Sequence, residues 1–175
     1  MADTYDSLNA LKYLNAVVNE TIRLYQGSKM ERIPSVDYVL KGTGITIKKG
    51  HVVQIPTFAM HRDPANFADP DTFRPERFLP ENIAHNPYTY LPFGVGPRNC
   101  IGMYMVKWMV KLALVSLVQR YVFYPTEKPV EFYVVNGGLM PKSVFLKIGK
   151  RVWVQHLLWD GLDHCLCRTF RHKPI

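Results

Sequence analysis

The chain has 175 residues, of which 47% are hydrophobic and 21% charged, with a formal net charge of +8 at pH 7. This length and composition fit a single globular domain and exclude a disordered or fibrous protein. The positive charge is spread along the chain rather than gathered into a basic stripe, which argues against a nucleic-acid interface.

The first predicted element is an amphipathic helix over about residues 8–25, followed by a stop at Gly27. Its apolar residues recur every three or four positions: Leu8, Leu11, Leu14, Val18, Ile22 and Tyr25. Three short β-branched runs separated by glycines then predict a small antiparallel meander of strands: Tyr38–Leu40, Ile45–Ile47 and Val52–Ile55.

Residues 62–92 contain six of the thirteen prolines, which excludes long helices there. Five aromatic residues in the same segment favour burial, so we predict a packed, irregular wrap: Phe67, Phe73, Phe78, Tyr88 and Tyr90. A second helix is predicted from just after Cys100 to about Tyr121, about 30 Å long. It is apolar on nearly all sides and is therefore expected to be central and buried. Two short strands around a turn at Gly137–Gly138 complete the pattern.

The N-terminus lacks the basic-then-apolar order of a secretory signal. The most apolar stretch is interrupted by Lys107 and Lys111, and its longest charge-free run, residues 112–119, is far below the ~20 residues that a bilayer requires. If the protein belongs on a membrane, we expect its anchor to lie outside this chain.

The segment "FGVGPRNCIG", residues 93–102, places one thiol in a glycine-framed loop before the second helix. The segment does not match a phosphate-binding loop, because Asn99 occupies the position of the third glycine of G-x-G-x-x-G. A nucleophilic Cys100 would need a base such as His85 or His61, and no local pattern supports one. A metal thiolate fits better, because the glycines let a large flat ligand approach and the helix N-terminus favours a thiolate.

The same loop resembles the haem-binding loop of the cytochrome P-450 superfamily, whose pattern is F-x-x-G-x-R-x-C-x-G. Every fixed position is filled, by Phe93, Gly96, Arg98, Cys100 and Gly102. Five residue types at set spacings make this resemblance specific.

Further motifs occur upstream in the order typical of that family. "NETIRLY" carries Glu20 and Arg23 at the E-x-x-R spacing of the family's K helix, and "RPERF" supplies Arg77, the third member of a Glu–Arg–Arg triad. Alone, a carboxylate and an arginine at i, i+3 are ordinary surface neighbours. A carboxylate held by two guanidiniums would instead pin the proline-rich wrap to the helix. The segment "MHRDPANFADPDTFRPERF" resembles the family's path into that motif.

The resemblance covers about residues 5–149, the C-terminal third of a family member, and is nearest to the microsomal drug- and steroid-oxidising family-three group and its insect relatives. It implies a mainly α fold with small β-sheets, comprising K helix, small sheet, meander, cysteine loop, L helix and terminal hairpin. Residues 1–149 would form the C-terminal portion of a cytochrome P-450 domain, and residues 150–175 a non-homologous, poorly ordered tail.

The resemblance also implies the roles of individual residues. Cys100 would be the thiolate ligand of haem b, and five residues would surround the cofactor: Phe93, Gly94, Arg98, Gly102 and Arg32. The two arginines would pair the haem propionates, and Phe93 would pack near the sulfur. The triad residues Glu20, Arg23 and Arg77 would be structural. Residues 26–33 and 137–140, with Gly138 and Leu139 among them, would face the substrate.

The implied function is haem-thiolate monooxygenation of a lipophilic substrate, with NADPH acting only through a flavoprotein reductase. Lys107 and Lys111 would belong to the basic face that meets this reductase, or else to an ordinary solvated helix face. The implied location of a full-length relative is the cytosolic face of the endoplasmic reticulum membrane, and no nucleic acid is expected as a partner.

Alternatives stay open at this point. The family's long central helix, with its oxygen-activating acid–alcohol pair, has no counterpart in this sequence. The chain is therefore expected to be a fragment of a monooxygenase or a truncated, non-catalytic product. Thromboxane synthase lies near the same group, which leaves isomerase chemistry as a minor alternative. A zinc site formed by the tail's "HCLC" is weakly indicated, because its C-x-C lacks the usual partner pair: His164, Cys165, Cys167 and His172.

Overall fold

The computed structural model describes residues 4–25, 30–135 and 138–151. Its helices are α1 (Tyr5–Ala10), α2 (Lys12–Tyr25), α3 (Thr57–His61) and α4 (Met103–Arg120). The predicted stop at Gly27, the turn residue Gly137 and the tail with its zinc hypothesis lie outside the described residues. In the part of the chain that the structure describes, no helix combines the length and hydropathy needed to cross a membrane.

The single first helix predicted over residues 8–25 is wrong, because the structure divides it at Leu11. This residue has φ −74° and ψ 88°, outside the helical region, while its side chain stays buried. The side-chain nitrogen of Asn15 donates to the carbonyl oxygen of Asn9 at 2.8 Å, which satisfies an acceptor that the end of α1 leaves open. The apolar periodicity continues across Leu11, so the sequence pattern does not indicate that the helix divides there.

The strands form four two-stranded antiparallel sheets rather than one meander. β2 (Tyr38–Val39) pairs with β3 (Thr46–Ile47), but β4 (Val53–Ile55) pairs with β1 (Met30–Arg32), a strand that the sequence did not predict. The terminal hairpin joins β6 (Glu131–Val135) to β7 (Gly138–Ser143). It is accompanied by a pair that sequence reasoning missed, β5 (Tyr121–Pro125) with β8 (Leu146–Lys150).

The proline-rich segment is a packed wrap without long helices, as predicted. Three short 3₁₀ turns interrupt it, each beginning at a proline: Pro75–Phe78, Pro80–Asn82 and Pro87–Thr89. Phe67 and Phe78 are buried, whereas Tyr88 is exposed, contrary to expectation. Pro at the first position of each turn suits its fixed φ and missing N–H.

The main apolar core lies where α1 and α2 meet one side of α4. Its fully buried members include Leu8, Leu14 and Val17 from the first two helices and Val115 and Val118 from α4. This packing holds the C-terminal half of α4 against α1 and against the helix that carries Glu20.

The expectation that α4 is buried on all sides is wrong for the described residues. Helices α1 and α2 cover only one side of it, and the large apolar side chains on the other side are exposed: Tyr104, Met105, Val106, Met109, Val110 and Leu117. We call this set the open face of α4. The apolar composition of α4 therefore predicted burial correctly only for the side that α1 and α2 cover.

Lys111 lies on the buried side of α4 instead of on a solvated face. Its Nζ donates to the side-chain oxygens of Asn9 and of Asn15, the latter at 2.9 Å. Burial lowers the pKa of Lys111 below its ordinary value. The amine thus bridges the two helices on either side of the break at Leu11.

Replacing Lys111 with methionine is expected to lower the free energy of unfolding by about 1–3 kcal/mol, because the two part-buried hydrogen bonds that its amine donates to Asn9 and Asn15 are lost. Urea unfolding followed by circular dichroism measures this loss. The matched control is Lys12→Met, on the exposed start of α2, for which we expect a change within about 0.5 kcal/mol. Equal unfolding midpoints for the two variants would contradict the bridging role.

Candidate functional site

The cysteine loop is closed by its own backbone hydrogen bonds. The amide of Cys100 donates to the carbonyl of Phe93 at 2.8 Å, and the amide of Asn99 donates to the carbonyl of Gly96 at 3.1 Å. Gly94 and Gly96 have φ of 75° and 79°, in the left-handed region that favours glycine. The glycines therefore serve the backbone conformation, and the loop presents Cys100 at the end of a closed turn.

The Cys100 side chain is exposed, and α4 begins three residues after it. Neither histidine proposed as a base hydrogen-bonds to it. The Nε2 of His61 accepts instead from the amide of Leu91, and His85 lies among aromatic rings. No group of three or more metal-ligating residues occurs within the described ranges. The site therefore offers one thiol without a general base, which disfavours nucleophilic catalysis and suits a ligand that needs a single protein donor.

Two arginines, one in this loop and one beside it, form no ion pair with any carboxylate of the described residues. Arg98 ends the 3₁₀ turn of the loop and is exposed. Arg32 is exposed on β1, and its Nη2 lies 3.4 Å from the Sδ of Met30. That sulfur lies 3.4 Å from the position that a Cβ on Gly94 would occupy. Among the described residues, the salt bridges include neither arginine, so both are available to an anionic group.

A buried ion cluster joins α2 to the wrap. The carboxylate of Glu20 accepts from the Nε and Nη2 of Arg23 at 2.8 and 2.9 Å. It also accepts from the Nε of Arg77 at 3.1 Å and from the backbone amide of Arg74 at 2.9 Å. Glu20 and Arg23 are fully buried, so the structure brings the triad predicted from the sequence into direct contact.

The remaining donors of this cluster reach backbone carbonyls of the wrap. Arg23 donates to the carbonyls of His61 and Pro70, at 2.6 and 2.7 Å. Arg77 donates to the carbonyl of Ala68 at 2.9 Å. Burial lowers the pKa of Arg77, and Glu20 opposes this effect. The cluster is thus a structural anchor, since the guanidinium groups of Arg23 and Arg77 donate to the Glu20 carboxylate and to backbone carbonyl oxygens.

A cleft of about 390 Å³ opens beside this cluster on the wrap. Its lining includes Phe67, Arg74, Arg77 and His85, and it does not include Cys100. Burial lowers the pKa of His85, with Arg77 adding to the effect. The thiol therefore lies outside this concavity, on an open surface.

Comparison with known proteins agrees with this geometry. The model of the cytochrome P450 family matches residues 2–147. The chain belongs to the cytochrome P450 family. The resemblance inferred from the cysteine loop and the Glu–Arg–Arg triad is thereby confirmed, as is the mainly helical fold with small sheets.

Several curated P450s align with most of the chain. Cytochrome P450 3A1 of Rattus norvegicus is 43% identical over 153 residues. Cytochrome P450 3A6 of Oryctolagus cuniculus is 46% identical and cytochrome P450 3A12 of Canis lupus familiaris 45% identical, each over 154 residues. Each alignment covers 85% of this chain and 30% of the relative. The chain thus spans about a third of the length of these relatives.

The cofactor of P450 enzymes is haem b, and the surroundings of Cys100 fit it. A Cβ on Gly102 would lie 4.0 Å from the Cys100 Sγ, so this glycine leaves space beside the sulfur. Ile101 and the open face of α4 supply exposed apolar surface beside the thiol. Phe93 is half-buried in the loop. A thiol donor, apolar surface and two guanidiniums outside the ion pairs of the described residues suit an iron porphyrin with propionates.

The expectation that Lys107 and Lys111 present a basic surface to a P450 reductase is wrong for this structure. Lys107 donates to the side-chain oxygen of Asn19 at 3.0 Å, and its Nζ lies 5.5 Å from the ring centroid of Phe93. Burial lowers the pKa of Lys107, and the neighbouring Lys111 adds to the effect. Both amines hold α4 against α1 and α2, and Lys107 also contacts the loop through an aromatic ring.

The residues expected to face the substrate of a P450 lie partly outside the described ranges, which omit 26–29 and 136–137. Gly138 pairs with Val135 and Leu139 with Val134 at the start of β7. Phe132 in the partner strand stacks on Tyr25 with ring centroids 5.6 Å apart. The hairpin therefore contacts the end of α2.

Sequence reasoning missed the residues that connect the loop to its support. These are Asn9, Asn15 and Asn19, which accept from the two lysines, and His61, which accepts from Leu91. From the sequence, His61 was named only as a possible base and as part of the segment that begins "MHRDP", without a contact to the chain around Leu91.

Proposed function

We propose that this chain forms the haem-thiolate part of a monooxygenase that acts on a lipophilic substrate. The observation that carries the proposal is the cysteine loop: a complete family motif whose backbone closes on itself and presents Cys100 beside an exposed apolar surface. Membership of the cytochrome P450 family supports it, since that family joins haem b to electrons from NADPH through a reductase.

The proposed roles follow from what each residue offers. Cys100 is the thiolate ligand, and Phe93 packs near the sulfur. Arg98 and Arg32 pair the propionates, because both are exposed cations without a carboxylate partner in the described segments. Gly102 keeps a side chain away from the sulfur, and Gly94, in the left-handed region, lets the backbone of the loop approach the cofactor. A haem thiolate supplies reductive activation of dioxygen for insertion into a C–H bond.

The wider assignments rest on resemblance. We propose that residues 1–149 are the C-terminal portion of a P450 domain and that residues 150–175 are separate from it. The proposed partners of the whole protein are an NADPH-dependent flavoprotein reductase and a small lipophilic substrate. Its proposed location is the cytosolic face of the endoplasmic reticulum membrane, reached through an anchor outside the described residues.

Haem binding by the purified chain tests the proposal. The chain is mixed with haemin, reduced and exposed to carbon monoxide, and the difference spectrum is recorded. We expect a thiolate-type Soret band that Cys100→Ser abolishes. The matched control is Cys165→Ser, which leaves the band intact.

A thiolate-type band that survives Cys100→Ser would overturn the assignment of the ligand. Absence of any thiolate band in the unaltered chain would instead favour the truncated, non-catalytic product. If the band is present, NADPH-dependent product formation by the whole protein with its reductase separates the monooxygenase from an isomerase, which consumes no NADPH.

A further inference from the structure

His61, at the end of α3, makes a side-chain contact with the segment that leads into the cysteine loop. Its imidazole is 1% exposed, and its Nε2 accepts from the backbone amide of Leu91 at 3.0 Å. Since a ring nitrogen that accepts a hydrogen bond carries no proton, His61 is neutral and its proton lies on Nδ1. Burial, with Arg23 adding to the effect, lowers the pKa of His61 to about 4, in agreement with this state.

Leu91 begins the chain of hydrogen bonds that shapes the loop. Its side chain is buried, and its carbonyl accepts from the amide of Gly94 at 3.2 Å. Two residues after Leu91, the carbonyl of Phe93 accepts from the amide of Cys100 at 2.8 Å. A hydrogen bond that holds the backbone of Leu91 in place therefore also positions the start of the turn that ends at Cys100.

The other side of His61 belongs to the ion cluster. Its backbone carbonyl accepts from the Nη1 of Arg23 at 2.6 Å. The imidazole packs against Tyr90, with ring centroids 5.3 Å apart, and against the edge of Phe67 at 6.3 Å. One residue thus contacts the buried cluster through its backbone and the segment that leads into the cysteine loop through its side chain.

The Nδ1 of His61 is buried and has no hydrogen-bond partner among the described residues. A residue that only fills space would be better replaced by an apolar side chain, because an unpaired buried donor is unfavourable. What the imidazole adds over an apolar side chain is the acceptor that it offers to Leu91.

We propose that His61 is a positioning residue for Cys100: its imidazole accepts the Leu91 amide and thereby ties the cysteine loop to the Glu20–Arg23–Arg77 cluster. The effect of this hydrogen bond on haem ligation rests on the proposed function, whereas the hydrogen bond itself is independent of it. His61 has no contact with the thiol and acts through the backbone of the loop.

Hydrogen–deuterium exchange of the Leu91 amide in the full chain tests the tie without any cofactor. His61→Leu removes the acceptor at similar volume, whereas His61→Gln places an amide oxygen at similar reach. We expect exchange at Leu91 to rise about tenfold in His61→Leu and to return to within about threefold of the original chain in His61→Gln. Amides in the middle of α4 report global opening and serve as the reference.

Equal acceleration at Leu91 in both variants, or no acceleration in His61→Leu, would overturn the proposal. One measurement needs no variant and therefore does not depend on a variant's folding. A through-hydrogen-bond scalar coupling between the Leu91 amide nitrogen and the Nε2 of His61 is expected in the ¹⁵N-labelled chain, and its absence would equally overturn the tie.

The effect on the thiol is read from the haem-loaded chain by the reduced-plus-carbon-monoxide spectrum. His61→Leu is expected to lower the fraction of thiolate-type band, and His61→Gln to restore it. An unchanged fraction in His61→Leu, with accelerated exchange at Leu91, would overturn the positioning role while leaving the proposed function intact. Persistence of the band in Cys100→Ser would overturn the proposed function and leave the exchange result standing.

Discussion

Replacing Glu20 with glutamine is expected to lower the free energy of unfolding by about 3–5 kcal/mol. The carboxylate is fully buried and is the acidic partner of Arg23 and Arg77 in the cluster. Glutamine retains the shape and one acceptor oxygen but leaves two buried guanidiniums without a counter-charge. Urea unfolding monitored by circular dichroism measures the loss.

The control for this variant is Glu131→Gln, which removes the acidic partner of an exposed ion pair with Lys142. Exposed pairs contribute at most about 1 kcal/mol, so the control should unfold close to the original chain. If Glu20→Gln unfolds at the same urea concentration as Glu131→Gln, the cluster does not anchor the wrap.

Acidification from pH 6.5 to pH 4 is expected to reduce stability by about 3 kcal/mol through His61 alone. The pKa of this imidazole is about 4 in the folded chain and 6.5 in its ordinary state, and burial is the main cause. Well above pH 6.5 the imidazole is neutral in both states and its contribution is complete. As the pH falls, the unfolded chain binds the proton first, so stability decreases until the folded pKa is reached.

Carboxylates also titrate near the lower end of this range, and the pKa of His85 is lowered in the same direction. The effect of His61 is therefore obtained as a difference between the original chain and His61→Gln, with unfolding free energies measured at half-unit intervals of pH. The original chain should lose stability more steeply between pH 6.5 and pH 4. Parallel curves for the two proteins would show that His61 does not take up the proton on unfolding.

The sequence predicted those parts of the fold that depend on local pattern or on a complete motif. The 3.6-residue period located α2, the long apolar run after Cys100 located α4, and the proline spacing excluded long helices from the wrap. The strand pairing was mispredicted, because β4 pairs with β1, which lies before β2 and β3 along the chain. Adjacent runs suggested adjacent pairing, and nothing in a three-residue strand names a distant partner.

In the candidate site, too, local motifs were predicted from the sequence and contacts between distant residues were not. Phe93, Arg98 and Cys100 were found because their spacing is fixed within one loop. Lys111 was misread as a surface residue, because its acceptor Asn9 lies 102 residues away. The apolar run of α4 predicted burial but could not tell which elements would provide it. Contacts between distant residues leave no periodic trace in one sequence.

The way in which the ion cluster holds the wrap has a consequence for sequence variation. Arg23 and Arg77 donate hydrogen bonds to the backbone carbonyls of His61, Ala68 and Pro70. A carbonyl is common to all amino acids, so the side chains at 68 and 70 are free to differ without loss of the anchor. Tolerance should therefore be high at positions 68 and 70 and low at the three charged residues, whereas His61 is constrained by the role of its imidazole. A saturation library scored for folding should show this contrast, with short permissive stretches between a few fixed positions.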